Sequence, residues 1–485
     1  LTALRADPKV YLMFDDHLKG DHDINLLAVT KNVNLFTKMP VDVRKDREIV
    51  YEAVKQNGDI YEGTYEGLYC VGCEGFKIES DLVNERCPLH PNKDLEQVKE
   101  RNYFFRLSAY RDELLKYIEE HPEFVQPESR KNEIKNYISE HLADVSVSRE
   151  AKSAPAGIPV PGDASQKMYV WFDALLNYMT AVGYGTDEAS FQKWWPTTLQ
   201  LVGKDIIKFH CALWPAMIMS AAKSDPTLVT EDGKPKIQRQ VFAHGFFTID
   251  GQKMSKSLGN AISPIDIAKE YPFDAVRYFL LREIPFGEDG DFSHGRLKER
   301  YASDLGNTYG NLVNRAIAMS KKYFQGCVPT CEVSEAGLLT TEHWLGRAGL
   351  ETLSEGITNA YTNNFCDHAL NGVWSGMDKS NTVGLFHANK FIEDTQPFKL
   401  VKTDPEAVAK ILYALLEACR WYAWFTLPVM PETSKKVFAQ LGLDPEQELA
   451  KGWDAALVWG GLTPGAPLGE PMPLFPRMEE TPPVA

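Results

Sequence analysis

DGQKMSKSLGN, residues 250–260, sets Lys253 and Lys256 three apart on a segment rich in glycine, serine and asparagine, in a chain whose formal net charge is −15. Lysine is a mobile point charge, and glycine lets backbone N–H groups approach an anionic oxygen. A loop of this composition suits a polyphosphate whose charge redistributes as it reacts. Composition alone favours a solvated surface turn, so the surrounding sequence has to separate the two.

The 485 residues argue for three or four domains with ample core. A pI near 5.3 argues against a surface coated in basic charge, while leaving room for local patches that bind nucleic acid. No apolar run approaches the ~18–20 residues of a membrane span, so no membrane association is expected, and no signal peptide opens the sequence. The chain begins at Leu1 rather than Met, which raises the expectation of a processed chain or a fragment. Cysteines stand at 70, 73, 87, 211, 327, 331, 366 and 419; the first three cluster and the rest scatter. That usage points to a metal site plus free thiols in a reducing compartment, the cytoplasm.

Along the chain, KVYLMF (9–14) reads as a buried strand, and residues 101–150 alternate aromatic and charged residues at helical spacing. GIPVPGD (157–163) is a loop, and 168–250 mixes short apolar runs with helices, an α/β pattern. Ser263-Pro264 followed by Asp266 marks a helix start. From residue 300 onward nearly everything is helical. In the stretch 406–424, Val408, Ile411, Leu415, Ala418 and Tyr422 recur every three or four residues, predicting one buried face that ends at Pro428 and Pro431. The proline-rich segment from 463 is expected to be loose.

CVGC (70–73) and CPLH (87–90) form a C-x2-C…C-x2-H array. Cys70, Cys73, Cys87 and His90 supply three thiolates and one imidazole, a tetrahedral set for Zn²⁺. Four protein ligands leave no open position, so the metal is expected to be structural.

KMSKS matches the signature loop of class I aminoacyl-tRNA synthetases over all five residues. YEGLYCVGCE, NYFFRLSAY, GIPVPGD, YVWFDALLNY, GKDIIKFH, FAHGFF, YFLLREIPFGEDGDFS and FPRME resemble, in order, methionyl-tRNA synthetases of the bacterial type, from about residue 50 to 478. The resemblance implies an α/β Rossmann-like class I catalytic domain with an incomplete N-terminal part, a zinc-binding connective peptide and an all-α anticodon-binding bundle. The implied segments are 1–55, a divergent remnant of the first Rossmann half; 56–150, the connective peptide; 151–250, the second Rossmann half; 251–335, the lysine loop and stem-contact segment; 336–465, the anticodon domain; and 466–485, a tail.

Trp171, Ala174 and Tyr178 are spaced to share a helix face, as are Ile206 and His210, giving aromatic and aliphatic surface with a few polar tips. A thioether suits such a slot, since sulfur packs at ring edges. In the resemblance these five positions line the methionine pocket. Asp205 is placed near the ATP ribose or the methionine end, His244 and Gly245 in the adenosine-binding stretch, and Lys253 and Lys256 on the phosphates of the ATP–Mg²⁺ complex. VYLMFDDH (10–17) is similar to a strand that ends on the aspartate holding the methionine amino group, which would make Asp15 that residue. The family pairs its lysine loop with a His-x-Gly-His motif, and no such motif occurs in these 485 residues. This departure leads to the expectation of weak or no activity in the chain as given.

GNLVNR (310–315) matches the family's anticodon-reading element, which makes Asn311 and Arg315 candidates to read bases of tRNA(Met), with Trp424 or Phe425 as a stacking ring. Two readings follow: an enzyme that activates methionine with ATP and transfers it to tRNA, and a synthetase-like chain that binds tRNA or methionine without chemistry. A leucine, isoleucine or valine synthetase would carry a larger editing insertion than the roughly 100-residue connective segment allows. The sequence leaves the oligomeric state open and permits a monomer.

Overall fold

The computed structural model describes residues 1–32, 35, 38–40, 43, 58–72, 75–77, 82–88, 90–152, 154–249, 251–254, 260–336, 345–377 and 383–477. They form two compact units, Leu1–His244 and Gly245–Ala485.

At the start of the first unit, short helices Thr2–Ala6, Asp16–Lys19 and His22–Lys31 close over Leu4, Tyr11, Ile24, Ala28 and Val29. The strand expected at 9–14 is instead a 3₁₀ helix, Pro8–Met13. A local helix start and a longer-range hydrogen bond account for the difference. Pro8 suits a first helical turn and the Asp7 carboxylate accepts from Lys9 N–H, while the Tyr11 hydroxyl donates to buried Asn25 at 2.6 Å.

Strands β1 (Ile60–Cys70) and β3 (Glu96–Phe105) pair antiparallel from Ile60↔Phe105 to Tyr69↔Glu96, with β2 (Gly75–Lys77) on one edge and β5 (Val145–Ser146) on the other. β6 (Ser148–Glu150), β8 (Asp163–Met168) and β7 (Pro159–Val160) form a second antiparallel sheet. The parallel sheet has the order β4 (Val125–Gln126), β10 (Gln240–His244), β9 (Leu199–Gly203). Its outer strand β4 comes from within 56–150, so the segment read as connective peptide also supplies a strand of the parallel sheet. Parallel strands covered on both faces read as apolar runs; β10 follows this, with Val241, Phe242 and Ala243 buried, whereas β9 alternates, with Val202 buried and Leu201 exposed. Val202, Val241 and Ala243 belong to a core that includes Phe124, Phe191, Trp195 and Trp214.

The second unit opens with a small sheet, β12 (Gln252–Lys253), β11 (Phe247–Ile249), β13 (Gly290–Asp291), and continues as helices. The helix Pro405–Thr426 is buried all round through most of its length, not on one face as the spacing suggested, because other helices surround it. It therefore carries buried polar groups. Arg420 donates to Glu417 (2.6 Å), Glu448 (3.2 Å) and the carbonyls of Ala456 (2.6 Å) and Val458 (2.7 Å). The proline-rich segment is docked rather than loose through residue 477. Val328 N–H donates to Ala466 O, Leu468 N–H to Gly326 O and the Tyr301 hydroxyl to Pro476 O, while Leu474 and Phe475 are buried.

Candidate functional site

The carboxyl ends of parallel strands are where α/β folds gather ligands. Here β9 and β10 end in register, His244 opposite Gly203. The chain leaves β9 through the 3₁₀ turn Lys204–Ile206, which exposes Asp205, and enters a π-helix, Phe209–Leu213, that carries His210. Opposite it run the short helices Val170–Ala174 and Asn177–Thr180.

These elements bring Trp171, Tyr178, Ile206 and His210 together. The Trp171 ring stacks on Phe209 at 4.5 Å and 7° and meets His210 edge-on at 6.2 Å; Tyr178 meets His210 edge-on at 5.5 Å. His210 Nδ1 lies 2.9 Å from the Ile206 carbonyl oxygen, and Nε2 lies 2.9 Å from the Tyr178 hydroxyl. A carbonyl oxygen only accepts, so Nδ1 carries the proton; Nε2 then accepts, and the phenol donates. Burial drives the His210 pKa below its ordinary value, while the bond to Ile206 O pulls the other way. Burial also raises the Tyr178 pKa. Both side chains are therefore neutral near pH 7, between aromatic faces, which suits an uncharged, polarizable side chain. Phe209 was not among the residues singled out from sequence; its only local signal is an aromatic residue beside His210.

Ala174 lines a neighbouring cavity of about 670 Å³, with Phe172, Met179, Trp214 and Met217. The helix break at 175–176 ends the continuous face that its spacing from Trp171 and Tyr178 implied. Asp15 is exposed and caps the helix Asp16–Lys19, accepting from Leu18 N–H at 3.0 Å, so it stands at a helix start rather than at the end of a strand.

In the second unit Lys253 ends β12, whose partner is β11, while Lys256 lies outside the described residues. Gly245 has a packing reason of its own: a Cβ there would sit 2.1 Å from the Glu288 carbonyl oxygen.

Cys70, Cys87 and His90 hold their donor atoms within 4.8 Å of one another, and Cys73 lies outside the described residues. His90 Nδ1 is 3.8 Å from Cys70 Sγ and 4.0 Å from Cys87 Sγ. Sulfur and nitrogen ligands on one tetrahedral zinc stand about 3.6 Å apart, so two thiols and an imidazole fit a borderline-soft cation after slight contraction. Gly72 leaves room for this approach, since a Cβ would meet the His90 ring at 2.5 Å.

Asn311 is exposed at the start of the helix Asn311–Tyr323, and Arg315 follows one turn later. Arg315 Nη1 is 3.8 Å from Glu393 Oε1 on the helix Leu385–Thr395. Trp424 and Phe425 are buried, and Trp424 Nε1 donates to Glu448 at 3.0 Å. Neither ring is at the surface a nucleobase reaches, because the helix bearing them is the central one. Exposed phenylalanines do occur on the flanking helices, at Phe386 (46% exposed) and Phe398 (44%).

A family described as tRNA synthetases class I (M) matches residues 35–317. One described as the anticodon binding domain of methionyl tRNA ligase matches residues 384–482. A methionine–tRNA ligase of Thermotoga maritima is 40% identical over 462 residues, covering 93% of this chain and 68% of the relative. Its counterpart in Thermosynechococcus vestitus is 40% identical over 441 residues, covering 88% of this chain and 78% of the relative. Among solved structures, Mycobacterium tuberculosis methionyl-tRNA synthetase bound by methionyl-adenylate superposes with a TM-score of 0.74 at 34% identity, covering 91% of this chain and 82% of that one. The free-state structure of the same enzyme gives 0.73 at 33% identity, covering 90% of this chain and 81% of that one.

Proposed function

The chain belongs to the class I methionyl-tRNA synthetase family, and on that footing we propose how its own residues serve the family's reaction. Methionine and ATP give methionyl-adenylate and pyrophosphate; the acyl group then passes to the terminal ribose hydroxyl of tRNA(Met). Trp171, Ile206, Tyr178 and His210 receive the methionine side chain. Asp205 and His244, at the carboxyl edge of the parallel sheet, together with Gly245, take the nucleoside of ATP. The methionine carboxylate attacks the α-phosphorus in line, and Lys256, with Lys253 and the Mg²⁺ that accompanies ATP, neutralises the departing pyrophosphate. No protein nucleophile is required.

The observation that carries this reading is the chain Tyr178 O–H to His210 Nε2 and His210 Nδ1–H to Ile206 O, set against ring faces beside the end of β9. Methionine-dependent ATP–pyrophosphate exchange tests it. Lys256→Ala is expected to lower the exchange rate roughly 10²–10³-fold, the usual cost of losing a charge-stabilising group. An unchanged rate refutes the assignment.

Zinc at Cys70, Cys73, Cys87 and His90 would tie the two knuckles together and take no part in the chemistry; the donor types and their spacing support it. Asn311 and Arg315 would read anticodon bases. The exposed Phe398 follows the helix that carries Glu393, the ion-pair partner of Arg315, and would supply the stacking ring. Outside the zinc array, Cys211, Cys327, Cys331, Cys366 and Cys419 are free thiols, which fits work in a reducing cytoplasm. No helix among the described residues is long and apolar enough to cross a membrane.

For these 485 residues taken by themselves, one observation favours a second reading, a chain that binds methionine and tRNA but activates methionine poorly: no His-x-Gly-His occurs within them. Methionine binding without measurable exchange supports it, and exchange at a rate typical of working synthetases sinks it.

A further inference from the structure

The π-helix Phe209–Leu213, which bears His210, runs directly into Trp214-Pro215. Trp214 N–H reaches back five residues to the Phe209 carbonyl, the π register. The next donor in that register belongs to residue 215, a proline with no N–H. Gln238 supplies one instead: its Nε2 donates to the His210 carbonyl oxygen at 2.8 Å. Gln238 is fully buried, and its Oε1 has no hydrogen-bond partner among the described residues. An amide with one end unpaired is unfavourable in a core, and apolar packing alone would not select it. Gln238 lies just ahead of β10, so its single bond ties the turn that presents the imidazole to the parallel sheet.

We propose that Gln238 is a positioning residue of the methionine pocket. It fixes the main chain at His210 and thereby the Tyr178–His210 pair that distinguishes a thioether from a methylene. The imidazole has little freedom of its own, pinned at Nδ1 by Ile206 O and at Nε2 by the Tyr178 hydroxyl. A displaced carbonyl at residue 210 therefore carries the ring edge with it. This inference rests on the reading that the pair faces methionine.

The test measures dissociation constants for L-methionine and for L-norleucine, which replaces the sulfur with CH₂, by tryptophan fluorescence on the full chain. Gln238→Met is expected to keep norleucine binding, which certifies the fold, while the norleucine-to-methionine ratio of constants falls roughly two- to tenfold, the range of sulfur–aromatic contact energies. Gln238→Glu, whose carboxylate cannot donate to a carbonyl, is expected to lower the ratio at alkaline pH and to recover partly on acidification. An unchanged ratio in Gln238→Met overturns the proposal, whether both constants stay put or both worsen together, since equal loss is what a purely structural role produces. Tyr178→Phe separates the layers. If it leaves the ratio unaltered, or if the unmutated chain binds neither ligand, the reading of the pocket fails. If it lowers the ratio while Gln238→Met does not, only the role of Gln238 fails.

Discussion

Tyr178→Phe removes one oxygen from the pocket, and its effect on His210 can be worked out before measurement. The phenol donates to Nε2, so it stabilises the neutral imidazole and opposes protonation. A hydrogen bond of this kind is worth about 0.5–1.5 kcal/mol net, and one pKa unit corresponds to about 1.36 kcal/mol. Loss of the hydroxyl should therefore raise the His210 pKa by roughly half a unit to one unit, back toward the ordinary value. The consequence for stability follows from the proton count. With a depressed folded pKa, the unfolded chain binds the extra proton first, so stability is full above the ordinary histidine pKa of about 6.5 and declines as pH falls through the window down to the folded value. Tyr178→Phe narrows that window, so the variant loses less stability on acidification than the parent does. Selective ¹⁵N labelling of the 11 histidines, with pH titration by NMR, reads the shift directly. A pKa that stays fixed or drops would mean that the hydroxyl does not donate to Nε2, and the tautomer argument would be wrong.

Other outcomes follow from the geometry. Arg420→Met leaves Glu417 buried without its counter-charge, Glu448 with Lys451 as its remaining cation, and the Ala456 and Val458 carbonyls without this donor, so it should destabilise the helical unit by about 3–5 kcal/mol, read by denaturant titration. A loss below 1 kcal/mol, the worth of an exposed pair, would contradict the buried network. Gly72→Ala places a methyl 2.5 Å from the His90 ring and should weaken metal retention, visible as lower bound zinc after chelator challenge; retention equal to the parent's would remove Cys70–His90 proximity as its basis. Arg315→Ala should weaken binding of the cognate tRNA. Its salt dependence tells what is lost, because a lost phosphate contact reduces the slope by about 1 whereas a lost base contact leaves the slope and reduces discrimination between sequences.

Part of the candidate site joins residues whose spacing in sequence is short: Cys87 with His90, and Ile206 with His210. Lys256 and Cys73 lie outside the described residues, and the approach of Tyr178 to His210 joins positions 32 residues apart across a helix break, which spacing did not fix. Asn311 and Arg315 are one helical turn apart, and a helix starts at Pro264 as read, although Ser263 makes no side-chain cap hydrogen bond. What tertiary structure alone decided involves partners far apart in the chain. Residues 125–126 join a sheet with 199–203 and 240–244. Gln238 reaches the carbonyl of His210, and the tail through residue 477 docks on segments near 301 and 326–328. The helix Pro405–Thr426 shows why sequence is not enough for these. Its periodicity marks one apolar face correctly, but the number of faces that are covered depends on how many other helices pack around it, and the spacing within a helix carries no record of that. Trp424 and Phe425 are buried for that reason, and exposed aromatic surface in the same unit is found on flanking helices, as at Phe398.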